Sequence, residues 1–407
     1  MQSDKSNMRF KLEDLFFSRT DNRGIIQAGN QVFQHVSHFP WDKLIGAPHK
    51  IVRHPDMPRG VFSLMWRMIQ NGEPFGGYVL NRAEDGMPYW VYAVVLPQED
   101  GYISLRLKPS SGHLDKVIPI YEQIRRQEND NDLKPEAARD QIVEAVQQLG
   151  FRSYQEFMTR ALCDEVASRE TKLGLTRFEL RETLTRMLRD VGELETLAIK
   201  VDKTFAKTHQ IPYNMRLQAG RLEGSDGPIS VISGNHRMMT QTLEEHLVKF
   251  SRESAVGAEE VRDSLFLTMV VHLVREVTAA LNKEPRLKPD TRDRENKVLT
   301  ELVEAYETRA VSEVRGMAER VRRFGDQCRD MRRMMSGLEL TRIMCKIERS
   351  KFSGEHSGLD EIVNRLASAQ ENLSAEFDQI LSTVAEILQC SEEVERAAQY
   401  GNWANVA

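Results

Sequence analysis

Ile51-Val52-Arg53-His54-Pro55-Asp56-Met57-Pro58 is the stretch whose reading settles the fold. An apolar pair runs into a cation, an imidazole and a carboxylate, with prolines at 55 and 58. Proline holds its own φ at about −65° and steers the residue before it away from helix, so the polar trio sits in a stiff, extended turn. Preset side chains of both charges beside an apolar segment suit the polar edge of a bound ring system. By itself the octet also fits a surface turn closed by a local Arg–Asp pair. Its surroundings decide.

From residue 15 to 108, short strand-like runs alternate with Gly, Pro and Asp punctuation. Tyr89-Trp90-Val91-Tyr92-Ala93-Val94-Val95-Leu96 reads as a strand, and Asp85-Gly86 before it is a hairpin signal. Ile103-Ser104-Leu105-Arg106-Leu107 alternates apolar and polar, the pattern of a strand with one face buried. Phe62 to Ile69 reads as a helix ended by Asn71-Gly72. The sum is a small antiparallel sheet with helices on one side.

In order and spacing these segments resemble the PAS sensor domain of the aerotaxis receptors, a family that carries a flavin. Phe16-Phe17-Ser18-Arg19-Thr20-Asp21-Asn22-Arg23-Gly24-Ile25-Ile26 looks like its first strand and tight turn. Asn30-Gln31-Val32-Phe33, Leu44-Ile45-Gly46-Ala47-Pro48-His49 and the octet follow, then Asn71-Gly72-Glu73-Pro74-Phe75, Asn81-Arg82 and Tyr89-Trp90-Val91. The resemblance covers residues 10–126 and departs at Phe75, where relatives have Trp, and in a shortened hairpin at residues 98–102. It implies FAD as cofactor, held by Asn30, Arg53, His54 and Asp56. Arg53 could donate charge-assisted hydrogen bonds to pyrophosphate or to a reduced, anionic ring. Asn30 could satisfy a ring carbonyl or amide, and Trp66 and Trp90 could wall the pocket. His54 as a haem ligand is the alternative. The first cysteine is Cys163, so a flavin–cysteine adduct within the PAS region is excluded and redox sensing is the flavin chemistry left.

Net charge is −5 with 29% charged residues, so nothing global favours nucleic acid or a membrane surface. Three of the four tryptophans precede residue 91, where a ring pocket would need them. No apolar run is seen to approach the ~20 residues of a bilayer span, and no secretory signal is visible, so the expectation is a cytoplasmic protein. Cys163, Cys328, Cys345 and Cys390 show no metal or disulfide spacing.

Beyond residue 160 the pattern changes. Leu180, Leu184, Met187, Val191, Leu194, Ala198, Val201 and Phe205 alternate steps of four and three. So do Leu299 to Met335, and Leu359 to Ile387 with only Gln370 out of character. A 3.5-residue repeat marks long coiled-coil-like helices. Breaks at 223–228, 283–289 and 352–357 fold them into two hairpins, and an antiparallel bundle within one chain would bury every stripe. The expected division is a PAS domain at 1–112, a helical elbow at 113–159 and hairpins at 160–289 and 290–407.

The first tip, Asn214-Met215-Arg216-Leu217-Gln218-Ala219-Gly220-Arg221, is similar to the N-x-x-I-E-A-A-R stretch of methyl-accepting chemotaxis proteins. Gln218 and Gly220 depart from that pattern where such receptors touch their kinase and coupling protein. No catalytic constellation or metal-ligand set is present. The α+β PAS domain followed by a mainly α bundle therefore reads as a non-enzymatic redox or oxygen sensor of aerotaxis type. It would meet a protein partner at its hairpin tips, as a chain with no nucleic-acid role and possible self-pairing. The alternatives are a scaffold whose PAS domain only dimerises, and a haem-binding PAS sensor.

Overall fold

The computed structural model describes residues 10–208, 211–223, 227–254, 257–284, 289–351 and 357–399. Strands β1 (Leu15–Asp21), β2 (Ile26–Gly29), β3 (Phe75–Arg82), β4 (Pro88–Gln98) and β5 (Gly101–Leu107) form one sheet in the order β2-β1-β5-β4-β3. Every pairing is antiparallel. Between β2 and β3 run α1 (Gln31–Ser37), α2 (Trp41–Leu44), a 3₁₀ turn (His49–Val52) and α3 (Arg59–Gln70). After the sheet come α4 (His113–Asp130), α5 (Pro135–Gln148), α6 (Tyr154–Leu173), α7 (Glu179–Thr208), α8 (Ile211–Glu223) and α9 (Pro228–Ser254). The chain continues with α10 (Ala258–Asn282), α11 (Pro289–Arg349) and α12 (Ser357–Gln399).

The shortened hairpin between β4 and β5 works because of Gly101. Its φ is +151°, and a Cβ there would stand 1.9 Å from the Thr20 carbonyl oxygen. Only glycine lets β1 and β4 both pair with β5 at that point.

By packing the chain divides into two compact units, one joining residues up to 182 with 262–311, the other joining 183–261 with 312–396. In the first unit helices cover both faces of the sheet, not one. Phe10, Phe16, Phe33, Val36 and Leu44 fill one side with Val79, Tyr89 and Val91. On the other, Tyr92 Oη donates to the Met158 carbonyl at 2.6 Å and Trp90 packs on Tyr121 of α4. Residues expected as an elbow thus form part of the sheet's cover. The near-continuous apolar text of β4 is the reason, since a strand buried on both faces cannot alternate.

Helix α10 corrects the expectation that no apolar stretch is long enough to span a bilayer. By length and composition it qualifies, alone among the described residues, and 67% of its apolar window is buried inside the protein. A core helix covered on nearly all sides is apolar all round for the same reason a spanning helix is.

Along the long helices the three apolar repeats are turned inward. All eight positions from Leu180 to Phe205 are buried, as is Gln370 within the third stripe. Helices α11 and α12 run 61 and 43 residues without a break, as the absence of proline after Pro289 allows. Residues 224–226 and 352–356 at the two tips lie outside the described residues. Their flanks meet: Met215, Ile229 and Ile232 share one cluster with Cys345, Leu359 and Val363. The described flanks of the two hairpins therefore pack together at one end of the long helices.

Candidate functional site

A cavity of about 290 Å³ lies between the sheet and α3, near the lower end of the ligand-cleft range. Period-two alternation decides which strand residues reach it. Val79 and Asn81 of β3, Ala93 and Val95 of β4, and Ser104 and Arg106 of β5 line its floor. Phe62, Met65 and Trp66 of α3 form the wall, with Arg23, Lys50 and Arg53 among the other lining residues.

The octet does position this site, but not with all of its polar residues. The His54 amide donates to the Leu80 carbonyl at 3.4 Å and the Leu80 amide to Met57 Sδ at 3.3 Å, tying the turn to β3. Arg53 lines the cavity, its guanidinium 3.7 Å from the Phe62 ring centroid. No acceptor lies in reach of that guanidinium among the described residues, and burial lowers its pKa. Trp66 lines the cavity too, edge-on to Tyr102 at 5.4 Å.

Asn30, His54, Asp56 and Trp90 are outside the lining. Asn30 caps α1: its Oδ1 accepts from the amides of Phe33 and Phe17, and its Nδ2 donates to the Leu15 carbonyl. His54 and Asp56 close the turn on themselves, the Asp56 amide donating to His54 Nδ1 at 3.1 Å. Asp56 thus faces His54, not Arg53. Trp90 stands an odd number of residues from Ala93, which places it on the opposite face of β4. There its buried indole N–H has no partner.

Sequence reasoning missed Arg106. The polar face of β5 reads as the solvent side of a half-buried strand, yet Arg106 is only 4% exposed and Ser104 7%. The guanidinium donates through Nη1 to Ser18 Oγ at 3.0 Å and through Nη2 to His49 Nε2 at 2.6 Å. No carboxylate pairs with it among the described residues, and burial lowers its pKa to about 10. Ser104 Oγ is buried without a hydrogen-bond partner. Asn81 of β3 is buried beside them. An apolar cleft with an uncompensated cation and an unpaired hydroxyl can hold a flat, largely apolar ligand whose polar edge accepts hydrogen bonds and gains negative charge.

No family model matches the chain. The aerotaxis receptor of Escherichia coli (strain K12) is 38% identical over 112 residues, amounting to 26% of this chain and 22% of the receptor. The match therefore spans about a fifth of the receptor's length. Among solved structures, the light-state Aureochrome1 LOV domain is 15% identical with a TM-score of 0.24, covering 28% of this chain and 92% of that one. A PAS domain from Colwellia psychrerythraea is 16% identical with a TM-score of 0.21, covering 25% of this chain and 91% of its own. Given the strand order, the helical crossover beside the cavity and the likeness to the aerotaxis receptor, the N-terminal domain of this chain is a PAS domain.

Proposed function

We propose that the PAS cavity binds a flavin, with FAD the species favoured by the aerotaxis-receptor likeness. On this reading the chain is a cytoplasmic, non-enzymatic redox sensor. The observation that carries the reading is Arg106, a buried cation without a counter-charge at an apolar cavity. When bound, a flavin supplies reversible electron uptake. The chain's own residues do the rest. Trp66 and Phe62 wall the ring, Asn81 and Ser104 offer an amide and a hydroxyl to its polar edge, and Arg106 favours the form carrying more negative charge. Arg53 has free donors for the phosphates. A haem fits less well, because His49 is the imidazole in the lining and its Nε2 already accepts from Arg106.

Helix α3 connects the pocket wall to the helices beyond the sheet. The amides of Arg59 and Gly60 at its N-terminus donate to Glu128 of α4 at 2.9 and 3.0 Å. A shift of α3 against a reduced ring would thus be felt at α4, the start of the covalent route to the bundle. From there the state would pass to a protein partner at the hairpin tips, with a chemotaxis kinase or coupling protein as the partner class the tip resemblance implies.

An absorption spectrum of the purified chain tests the binding. Flavin bands are expected, and Arg106→Met should lower flavin per protein by about tenfold, the scale of one charge-assisted contact. A haem band would reject the flavin. A colourless protein that takes up no added FAD would leave the scaffold reading.

A further inference from the structure

We propose that His49 is a positioning residue: it holds the Arg106 guanidinium at the cavity through an uncharged acceptor, so that the positive charge stays available to the ligand. The proposal rests on the flavin reading above.

The geometry is a closed triangle. Arg106 Nη2 lies 2.6 Å from His49 Nε2, Arg106 Nη1 lies 3.0 Å from Ser18 Oγ, and Ser18 Oγ lies 3.1 Å from His49 Nε2. A guanidinium can only donate, so His49 Nε2 must be bare and the ring neutral. The Ser18 hydroxyl accepts from Arg106 and directs its own proton toward the same nitrogen. Phe33 stacks on the imidazole at 6.1 Å with the planes 4° apart, which holds the plane that contains the lone pair. Burial, and then the Arg106 charge, hold the His49 pKa well below its ordinary 6.5, so the ring stays an acceptor.

The sheet carries its own contrast. Arg19, on the other face, is gripped by both oxygens of Glu295 at 2.7 and 2.9 Å. A carboxylate there neutralises the cation and makes it structural. At Arg106 the acceptors are an imidazole, a hydroxyl and the Ser104 carbonyl at 3.5 Å, all uncharged. They orient the guanidinium without cancelling it. Such an arrangement is costly unless something negative completes it.

The test compares wild type, His49→Gln and His49→Phe as full chains loaded with FAD. Glutamine keeps a neutral acceptor, whereas phenylalanine keeps the ring and removes the acceptor. The readout is the midpoint potential of the bound flavin. His49→Phe should lose about tenfold in preference for the reduced over the oxidised form, about 30 mV for a two-electron couple, and His49→Gln should stay with wild type. If His49→Phe keeps the wild-type potential, or if His49→Gln falls with it, the acceptor role is overturned. A readout that needs no flavin is the imidazole nitrogen resonance of His49, identified by its loss in His49→Gln. Protonation at Nδ1 with Nε2 bare is expected, and a proton on Nε2 overturns the proposal. Failure of the chain to bind FAD at all would refute the flavin reading while this second measurement still decides the first.

Discussion

Glu165 shows how one buried carboxylate ties the helical cover to the sheet. It is fully buried on α6 and accepts from the amides of Ser110 and Ser111 at 2.5 and 2.9 Å. It also accepts from Ser111 Oγ and Tyr78 Oη, both at 2.6 Å. With four donors aimed at it, the charge is solvated by the protein in place of water. Burial and the adjacent carboxylate push the Tyr78 phenol well above its ordinary pKa, so that phenol remains a donor. Glu165→Ala would strand four neutral donors and is expected to destabilise the chain by about 3–5 kcal/mol, at about 1 kcal/mol or more for each buried donor left without an acceptor. Glu165→Gln, which keeps two lone pairs on one oxygen, should lose clearly less. Urea unfolding followed by tryptophan fluorescence measures both, and equal losses would contradict the charge-based account.

At the level of elements, the interruption at Gln370 has a partner. Its Nε2 lies 3.5 Å from His236 Nε2, and its Oε1 accepts from Arg342 Nε at 2.9 Å. Helices α9, α11 and α12 thus share one polar layer inside an apolar bundle. A polar residue at a core position lowers stability but makes other registers worse, because a slipped helix would bury it without a partner. The place of His236 in this layer makes the bundle sensitive to pH. Burial lowers its pKa from 6.5 to about 4, so it stays neutral when folded and takes up a proton first when unfolded. Stability contributed by that difference is present above about pH 6.5 and is lost as pH falls toward about 4. Between about pH 7.5 and about pH 5 the loss from this group should be about 2 kcal/mol. His236→Gln should remove that part of the pH dependence, measured as the difference between urea midpoints at the two pH values. An unchanged difference would mean that the imidazole is wetter than its burial indicates.

For the molecule as a whole, the bundle closes within one chain. Gln379 of α12 donates to Glu193 of α7 at 3.1 Å, although 186 residues separate them and both are exposed. Thr204 and Lys200 of α7 likewise reach Glu376 of α12. Helices α7 and α12, the first and last of the long helices, are therefore neighbours, as an antiparallel bundle with short turns allows. A Glu193→Cys, Gln379→Cys double variant treated with a short bismaleimide should give a crosslinked monomer on denaturing gels. Crosslinks found only between differently tagged copies would show that the hairpins pair across two chains instead.

Which residues share a face could be read from the order of residues along the chain. Alternation in β4 and β5 and the 3.5-residue stripes of the long helices arise from backbone geometry alone, so strands, helices and the antiparallel bundle were legible. The octet also identified the turn beside the pocket, through Arg53. The surface that each face meets was not legible. Arg106 and Ser104 form a polar face that reads as solvent-exposed, and only the packing of α3 and the 3₁₀ turn against the sheet makes it the floor of a cavity. Trp90 reads as a pocket wall, yet one step of parity sends it to the opposite side, against α4. Asn30 reads as a ligand to the ring, but a local cap took its hydrogen bonds first. Periodicity is a property of one segment and burial a property of at least two, so tertiary contact alone could assign the site.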